Sequence, residues 1–424
     1  MNFSQGLGYS ILNGVVLLLR AFSAIIINKL VVVFLGGSGL LFLGNLKNIF
    51  SILQQISGAG VYEGIVKYTS GEYKNRASYV LQAGLSLMLV GLVVAILLYG
   101  IFSSTIFELL PISSEENTLK FWLSLGILLS LICFVLHTLF QSFFHGKMEY
   151  KMVVLTSAIS VVLSLGISVL LIFFFGKTGA VASVLMPSVT LFFTYLFFTK
   201  STKQFLDSFN KSGFKLLMVK PLVSYTLMSA LTAIVFPSVF LFIRSLLTTT
   251  SSLELASYWE GYSKLSLFIS GLAISSISLY YLPKLTQAAT TFEIKNVIIW
   301  GLKFMLFIGL PSLVLIYIFR NQIIPLLYTD DFLQAVFLLK WELLGTGFKL
   351  ISFTFSFLMI AKKMTKTFVI SELFSGVLFL VLSLFLIDRF GVEGASIAYA
   401  ATYFIYSVWV LLYFNGKFKF FLIN

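Results

Sequence analysis

The sequence predicts an all-α polytopic membrane protein of twelve transmembrane helices, arranged as two six-helix lobes related by a parallel pseudo-twofold repeat. Three observations carry that prediction. Only 11% of the 424 residues are charged, against about 25% in soluble domains, and mean hydropathy is +1.01. Apolar segments long enough to cross a bilayer follow one another with short polar joints. Two short motifs of the first half return in the second at almost the same offset. A β-barrel is excluded, because no run alternates apolar and polar residues in the ~10-residue segments that such strands need.

The segments fall at 10–35, 40–66, 78–102, 119–144, 152–175 and 179–198, then at 221–247, 258–283, 296–319, 332–360, 367–387 and 393–415. The first carries no charge before Arg20 and no small-residue cleavage site follows it, so it is expected to stay in the mature protein. Phe34-Leu35-Gly36-Gly37-Ser38-Gly39 reads as a tight turn into the second. Residues 199–220 form the longest polar joint and divide the chain into a lobe over 1–198, a linker and a lobe over 221–424. Phe175-Gly176-x-x-Gly179-Ala180 before the sixth helix returns as Phe390-Gly391-x-x-Gly394-Ala395 before the twelfth. Gly44-x-x-Lys47 with Lys67 returns as Gly261-x-x-Lys264 with Lys284. An even number of helices per repeat makes the repeats parallel, and transporters built so place their substrate between the halves. Pro187, Pro237 and Pro311 lie inside predicted helices and would free carbonyls there.

The net charge of +13 is largely a topology signal. One set of joints holds seventeen Lys and Arg, at 67, 74, 76, 147, 151, 200, 203, 211, 215, 220, 284, 295, 362, 363, 366, 417 and 419. The other set holds four, at 120, 177, 320 and 389, with carboxylates including Glu115, Glu116, Asp330 and Asp331. Lys and Arg favour the cytoplasmic side, so both termini and the 199–220 joint are expected there. Dispersed over short loops, these cations form no nucleic-acid-binding module. Cys133 stands alone in an apolar segment and reads as an inert thiol. His137 and His145 have no carboxylate at ligand spacing, so no metal site is expected, and they read as polar helix-end residues.

Chemistry is expected from charges within the membrane. Arg20, Lys29, Lys47, Arg244, Lys264, Lys303, Lys340 and Lys349 fall inside predicted helices, opposed there only by Glu63, Glu342 and Glu372. A cation at a helix centre is unfavourable by roughly 2.5–3.5 kcal/mol on insertion scales and marks a functional site by default. Lys303, Lys29 and Arg244 are near enough to helix ends to snorkel, whereas Arg20, Lys47 and Lys349 lie deeper. An anionic headgroup would satisfy such a set, so Arg20, Lys29, Lys47, Arg244, Lys264 and Lys349 are the candidate substrate-binding residues. Each glutamate is either a fixed partner to a cation or a carboxylate that takes up H⁺ or Na⁺ during transport, and the sequence favours neither. No nucleophile, base and orienting group occur together, so neither catalysis nor a cofactor is expected. Gly176-Lys177-Thr178 ends like a P-loop, but Leu171 stands where its first glycine belongs. Trp259 and Trp409 read as interfacial anchors.

With these residues in view, the chain resembles the Wzx-type flippases of lipid-linked oligosaccharides, the O-antigen and enterobacterial common antigen translocases. Ala59-Gly60-Val61-Tyr62-Glu63-Gly64 with Lys67-Tyr68, Trp259-Glu260-Gly261 and Tyr281-Leu282-Pro283-Lys284-Leu285 carry the resemblance. So do Trp341 to Lys349, Ile360-Ala361-Lys362, Glu372, and Gly394-Ala395 with Ala400, Thr402 and Tyr403. Lys47 and Arg244 stand where related flippases are also basic, while Lys264 departs from the common-antigen pattern, which is uncharged there. The resemblance implies a MATE-like fold of the MOP exporter superfamily. It also implies an undecaprenyl-pyrophosphate-linked repeat unit as substrate, moved from the cytoplasmic to the periplasmic leaflet of the bacterial inner membrane, in lipopolysaccharide or common-antigen biosynthesis. With such a substrate, Tyr62 and Trp259 become platforms on which its sugars stack; an ion gradient as driving force, and a polysaccharide polymerase and chain-length regulator as partners, follow from the family alone. A multidrug exporter of the same superfamily is the main alternative, but organic cations call for an acidic cavity. A membrane polysaccharide polymerase ranks lower, since it calls for a large periplasmic loop or a catalytic acidic motif and the external loops here are short.

Overall fold

The computed structural model describes residues 3–70, 77–110, 116–209, 218–362 and 364–418. Lys74, Arg76, Glu115, Lys211, Lys215, Lys363 and Lys419 of the charge pattern lie outside them. Every described element is helical. Each of the twelve apolar segments falls on a helix, although some helices contain two segments and the second segment ends early.

The helix α1, Phe3–Ser57, contains the first two segments and is broken at Gly36, whose φ of 70° and ψ of −172° no helix accommodates. From Gly14 to Ser57 it is 44 residues long, twice what one crossing needs, so the break separates two spans. The second span stops at Ser57, earlier than the expected 66. Ala59 and Gly60 take φ of 47° and 57°, and a short helix α2, Tyr62–Ser70, starts afresh. Then come α3, Ala77–Ile101; α4, Ser103–Leu109; and α5, Asn117–Gly146. α6, Tyr150–Phe197, holds the fifth and sixth segments and breaks at Gly176. α7, Thr199–Phe209, occupies the first half of the expected linker. It is amphipathic and docks on the first unit: Phe205 is buried against Phe140 at 4.3 Å between ring centroids, and Gln204 donates to Glu149 at 2.9 Å.

α8, Val219–Thr250, is the seventh span and α9, Leu253–Gln287, the eighth. Ser252 caps α9 by accepting from the Leu255 amide at 3.1 Å. The ninth span is composite: α10, Thr291–Phe304, passes through a π-helical turn at Met305–Gly309 into α11, Leu310–Ile318. After α12, Arg320–Leu327, and a 3₁₀ turn at Asp330–Ala335, the last spans are α13, Leu338–Ala361, α14, Thr365–Phe390, and α15, Val392–Phe418. Helix α6 runs through Pro187 and α8 through Pro237, so the break in α6 is made by a glycine and not by proline. Pro311 sits in the first turn of α11, directly after the π turn, where its missing N–H costs least.

Two compact units result, Met1–Leu241 and Phe242–Asn424, with the division falling inside α8. In the first, α1 packs on α6 and α3, and α5 on α6, α2 and α3; Leu46, Leu81, Leu123, Ile127, Phe143 and Phe144 centre its core. In the second, α13 packs on α9 and α15, and α14 on α15. The sequence repeat reappears as matched geometry within the two units. Gly176 has φ 52°, ψ −119° and Gly391 φ 57°, ψ −138°, conformations that side chains rarely adopt. One turn further on, a methyl group at Gly179 would strike the Leu171 carbonyl, and one at Gly394 the Leu386 carbonyl, so the repeat holds at all three pairs of positions.

Candidate functional site

Three candidate cations stand on α1, one turn of helix or more apart along its two spans. Arg20 is exposed in the first span; Tyr62, Tyr195 and His137 are its electrostatic neighbours. Lys29 is half-buried. Lys47 is exposed in the second span, although Leu46 beside it is fully buried and Asn45 donates to the Leu109 carbonyl at 2.7 Å. The neighbours thus hold α1 in the core while Lys47 points away from it. Glu63, in the first turn of α2, is exposed and acts electrostatically on Tyr62 and His145. The Tyr62 hydroxyl and His145 Nδ1 are hydrogen-bonded at 2.9 Å.

The histidines are therefore more than helix-end residues. His137 is buried, with Nδ1 lacking a hydrogen-bond partner among the described residues, close enough to Arg20 to feel its charge. Sequence spacing held one usable signal: seven or eight residues along a helix bring side chains back to roughly the same face. Among the described residues, no group of three or more His, Cys, Asp or Glu is arranged to hold a metal ion. Lys177, the residue of the P-loop fragment, pairs with Glu116 at 3.0 Å, both side chains partly buried.

In the second unit, Arg244 and Lys264 share one carboxylate. Arg244 Nε meets Glu260 Oε2 at 2.5 Å and Lys264 Nζ meets Glu260 Oε1 at 3.3 Å. Arg244 is buried, the Glu260 side chain is 0% exposed and that of Lys264 14%. Glu260 corrects the expectation that only Glu63, Glu342 and Glu372 oppose the intramembrane cations. Its signal was present in the sequence: it lies four residues before Lys264, the orientation in which a Glu–Lys pair faces along a helix. Neighbouring hydrogen bonds fix the triad's outer side. Tyr328 donates to the Gly261 carbonyl at 2.8 Å and Tyr262 to the Phe332 carbonyl at 2.7 Å, so the Asp330–Ala335 turn is tied down over α9. Trp259 is fully buried, which excludes it both as an interfacial anchor and as an accessible platform for sugars. Trp409 is half-buried, stacked between Tyr406 and Tyr413.

Glu342, Lys349 and Glu372 form a second cluster in the same unit. Glu342 is buried at 1% exposure and accepts from Ser396 at 2.9 Å and from Ser263 of α9 at 3.5 Å, with the buried Ser266 of the same helix nearby. Lys349, seven residues along α13, is buried at 8% exposure and interacts electrostatically with both carboxylates. Its ammonium lies 5.1 Å from the Tyr403 ring centroid and 5.8 Å from that of Tyr399. Glu372 is half-buried on α14. The structure thus groups Lys349 with the two glutamates in a closed, aromatic-walled cluster, and α9 reaches both this cluster and the Arg244 triad.

No family model matches the chain. Among known proteins, it is similar to the lipid III flippase of Escherichia coli (strain K12), with 24% identity over 401 residues covering 92% of this chain and 93% of that protein. The lipid III flippase of Shigella flexneri matches to the same extent. Among solved structures, a multidrug resistance MATE family transporter of the MOP superfamily in an inward-facing conformation superposes with a TM-score of 0.75, at 15% identity, covering 94% of each chain. The lipid II flippase MurJ in an inward closed conformation gives 0.74 at 18% identity, covering 96% of this chain and 87% of that one. The protein is therefore a multi-pass membrane protein with the fold of the MATE transporter and of the lipid II flippase MurJ, and its similarity to lipid III flippases extends over nearly the whole chain.

Proposed function

We propose that this chain is a flippase that carries undecaprenyl-pyrophosphate-linked oligosaccharide repeat units, of the O-antigen or enterobacterial common antigen type, from the cytoplasmic to the periplasmic leaflet of the bacterial inner membrane by alternating access. The observation that carries the proposal is Arg20, a permanently charged side chain exposed on a membrane-spanning helix amid tyrosines and a histidine, none of them a counter-ion. Such a cation is tolerated in the membrane when a mobile anion visits it. A pyrophosphate suits it, because a guanidinium binds phosphate oxygens through two parallel N–H donors. Lys29 and Lys47 extend the set in the first unit, and Arg244 with Lys264, gathered on Glu260, are the candidate headgroup residues of the second, while the polyprenyl tail stays in lipid. Lys349, expected among them from the sequence, fits better as the fixed ammonium of the Glu342–Glu372 cluster.

That cluster is where an ion would couple. Two carboxylates sharing one ammonium leave room for one more positive charge, H⁺ or Na⁺, and Glu63 is the corresponding candidate in the first unit. Both termini are assigned to the cytoplasm on the lysine distribution, and the lobes to 1–198 and 221–424 around the 199–220 linker. A polysaccharide polymerase and a chain-length regulator would receive the product.

The test is flipping in proteoliposomes loaded with a polyprenyl-pyrophosphate oligosaccharide, with ethidium efflux run in parallel. One charge-assisted hydrogen bond is worth about 1.5–3 kcal/mol, so Arg20→Ala and Lys47→Ala are each expected to slow flipping roughly 10- to 100-fold. Ethidium efflux without lipid movement would instead make the chain a multidrug exporter. Full flipping by both variants would remove the anion site from the mechanism.

A further inference from the structure

The ninth and tenth spans enclose a cavity of about 400 Å³ that the transport site does not use. Met305, Leu313 and Leu350 form its floor and are buried, while Leu310, Val314 and Leu344 form walls that are about half exposed. Nearly all of the lining is apolar. Two features open it. The π-helical turn at Met305–Gly309 offsets α11 from α10, and such turns recur at functional sites. Gly347 removes a side chain opposite Leu313; a methyl group there would lie 3.5 Å from Leu313 Cδ1, an ordinary contact, so space and not collision is what the glycine provides. From Met305 to Tyr317 the cavity runs ~18 Å at 1.5 Å per residue, close to the depth of one leaflet of a ~30 Å hydrocarbon core.

At one end of the lining stands a cation, with its carboxylate partner beside it. Lys340 lines the cavity, 45% exposed, and its ammonium lies 3.0 Å from Glu393 Oε1. Trp341 Nε1 donates to the same oxygen at 2.8 Å. A carboxylate has about four acceptor positions and an ammonium three donors, so this pair uses a fraction of its capacity. Glu393 therefore keeps acceptor capacity, and Lys340 donor capacity, for a ligand bearing a donor and an acceptor a few atoms apart.

We propose that this groove is a binding site for an aminophospholipid of the phosphatidylethanolamine type. One acyl chain lies along the floor between α11 and α13, the phosphate accepts from Lys340 and the primary ammonium donates to Glu393. The pair selects the headgroup. A lipid with phosphate alone meets the Glu393 charge with nothing to offset it. A choline headgroup has no N–H to give. The proposal is independent of what the protein transports, because every residue named lies outside the candidate headgroup and coupling residues.

Native mass spectrometry of the full-length protein in detergent, titrated with phosphatidylethanolamine, phosphatidylglycerol and phosphatidylcholine of identical acyl chains, tests it. Phosphatidylethanolamine is expected to be retained about tenfold more strongly than either other lipid, with the preference lost in both Lys340→Ala and Glu393→Gln. Gly347→Phe fills the groove and is expected to abolish retention of the preferred lipid; Leu344→Trp, on the exposed wall, does the same if the glycine variant fails to fold. Equal retention of the three lipids, or retention unchanged in a folded groove-filling variant, would overturn the proposal. So would displacement of phosphatidylethanolamine by equimolar polyprenyl phosphate.

Discussion

Glu260 is the carboxylate on which buried Arg244 and partly buried Lys264 both depend, and its removal separates structural from functional charge. In Glu260→Gln the side chain keeps its size but loses the charge facing Arg244 at 2.5 Å and Lys264 at 3.3 Å. At an effective dielectric of about 20, the longer pair alone represents ~5 kcal/mol of Coulomb attraction before desolvation is subtracted. Removing one partner of a buried pair typically costs about 3–5 kcal/mol, because the remaining charge stays buried without compensation. We expect a loss in that range, measured by SDS-induced unfolding in mixed micelles. Lys264→Met should behave differently. Glu260 keeps its charge-assisted bond to Arg244, so stability should fall by no more than about 1 kcal/mol, as for other partly exposed i,i+4 pairs. The surplus cation is gone, however, and flipping should fall tenfold or more. Combined with Glu260→Gln, Lys264→Met should restore about 1–2 kcal/mol, the coupling expected of residues in direct contact. If Glu260→Gln unfolds within about 1 kcal/mol of the parent, the triad is not holding the helices. If Lys264→Met flips at the parental rate, the excess charge of the triad has no part in transport.

Two further expectations test the frame. Gly176→Ala and Gly391→Ala place a side chain where φ is 52° and 57°; each should cost about 1–3 kcal/mol, and a large difference between them in unfolding would deny that the two breaks are equivalent. The other is the capping box of α10, in which the amides of Ala289 and Thr290 donate to Glu293 and the Glu293 amide donates to Thr290 Oγ1 at 3.2 Å. Thr290→Ala should destabilise by about 1 kcal/mol at pH 7. Hydrogen exchange at the start of α10 reports the loss, and protection unchanged in the variant would contradict it.

The fold was legible because it is written in quantities that a single chain displays locally. Apolar length marks each crossing, and glycines mark the breaks: Gly36, Gly176 and Gly391 take backbone angles closed to other residues, so their places in the sequence are places in the fold. Positions where two backbones must nearly touch were legible only through the repeat, as Gly179 and Gly394 show. What escaped was register at the small scale. The second span ends at Ser57 because Gly58 to Gly60 turn the chain, a stop hidden inside a continuous apolar run. Helix α7 hides in the polar linker because its one apolar face, built on Phe205, is too short to register as a segment.

The candidate site was legible by residue type and much less by grouping, and the repeat explains why. It matches Lys47 with Lys264, which invites the inference that the two lysines do the same work. Yet the first copy's counterpart of Glu260 is Leu43, four positions before Lys47 and buried in the apolar packing of the first unit. The first copy has therefore kept the cation without the carboxylate at that position, and Lys47 is exposed while Lys264 leans on Glu260. A shared backbone with unequal charge is what asymmetric work on an asymmetric substrate requires. One copy presents a cation outward, and the other holds its cations on a common anchor within reach of the Ser263 and Ser266 hydroxyls that face Glu342. An ion arriving at Glu342 would thereby act on the same helix, α9, that positions Lys264. Coupling would then be a property of one helix carrying residues three and six positions beyond Glu260, and Ser263→Ala with Ser266→Ala should weaken the pH-gradient dependence of flipping while leaving the Glu260 pairing intact. Parental gradient dependence in that double variant would uncouple the two clusters and place the energy input elsewhere.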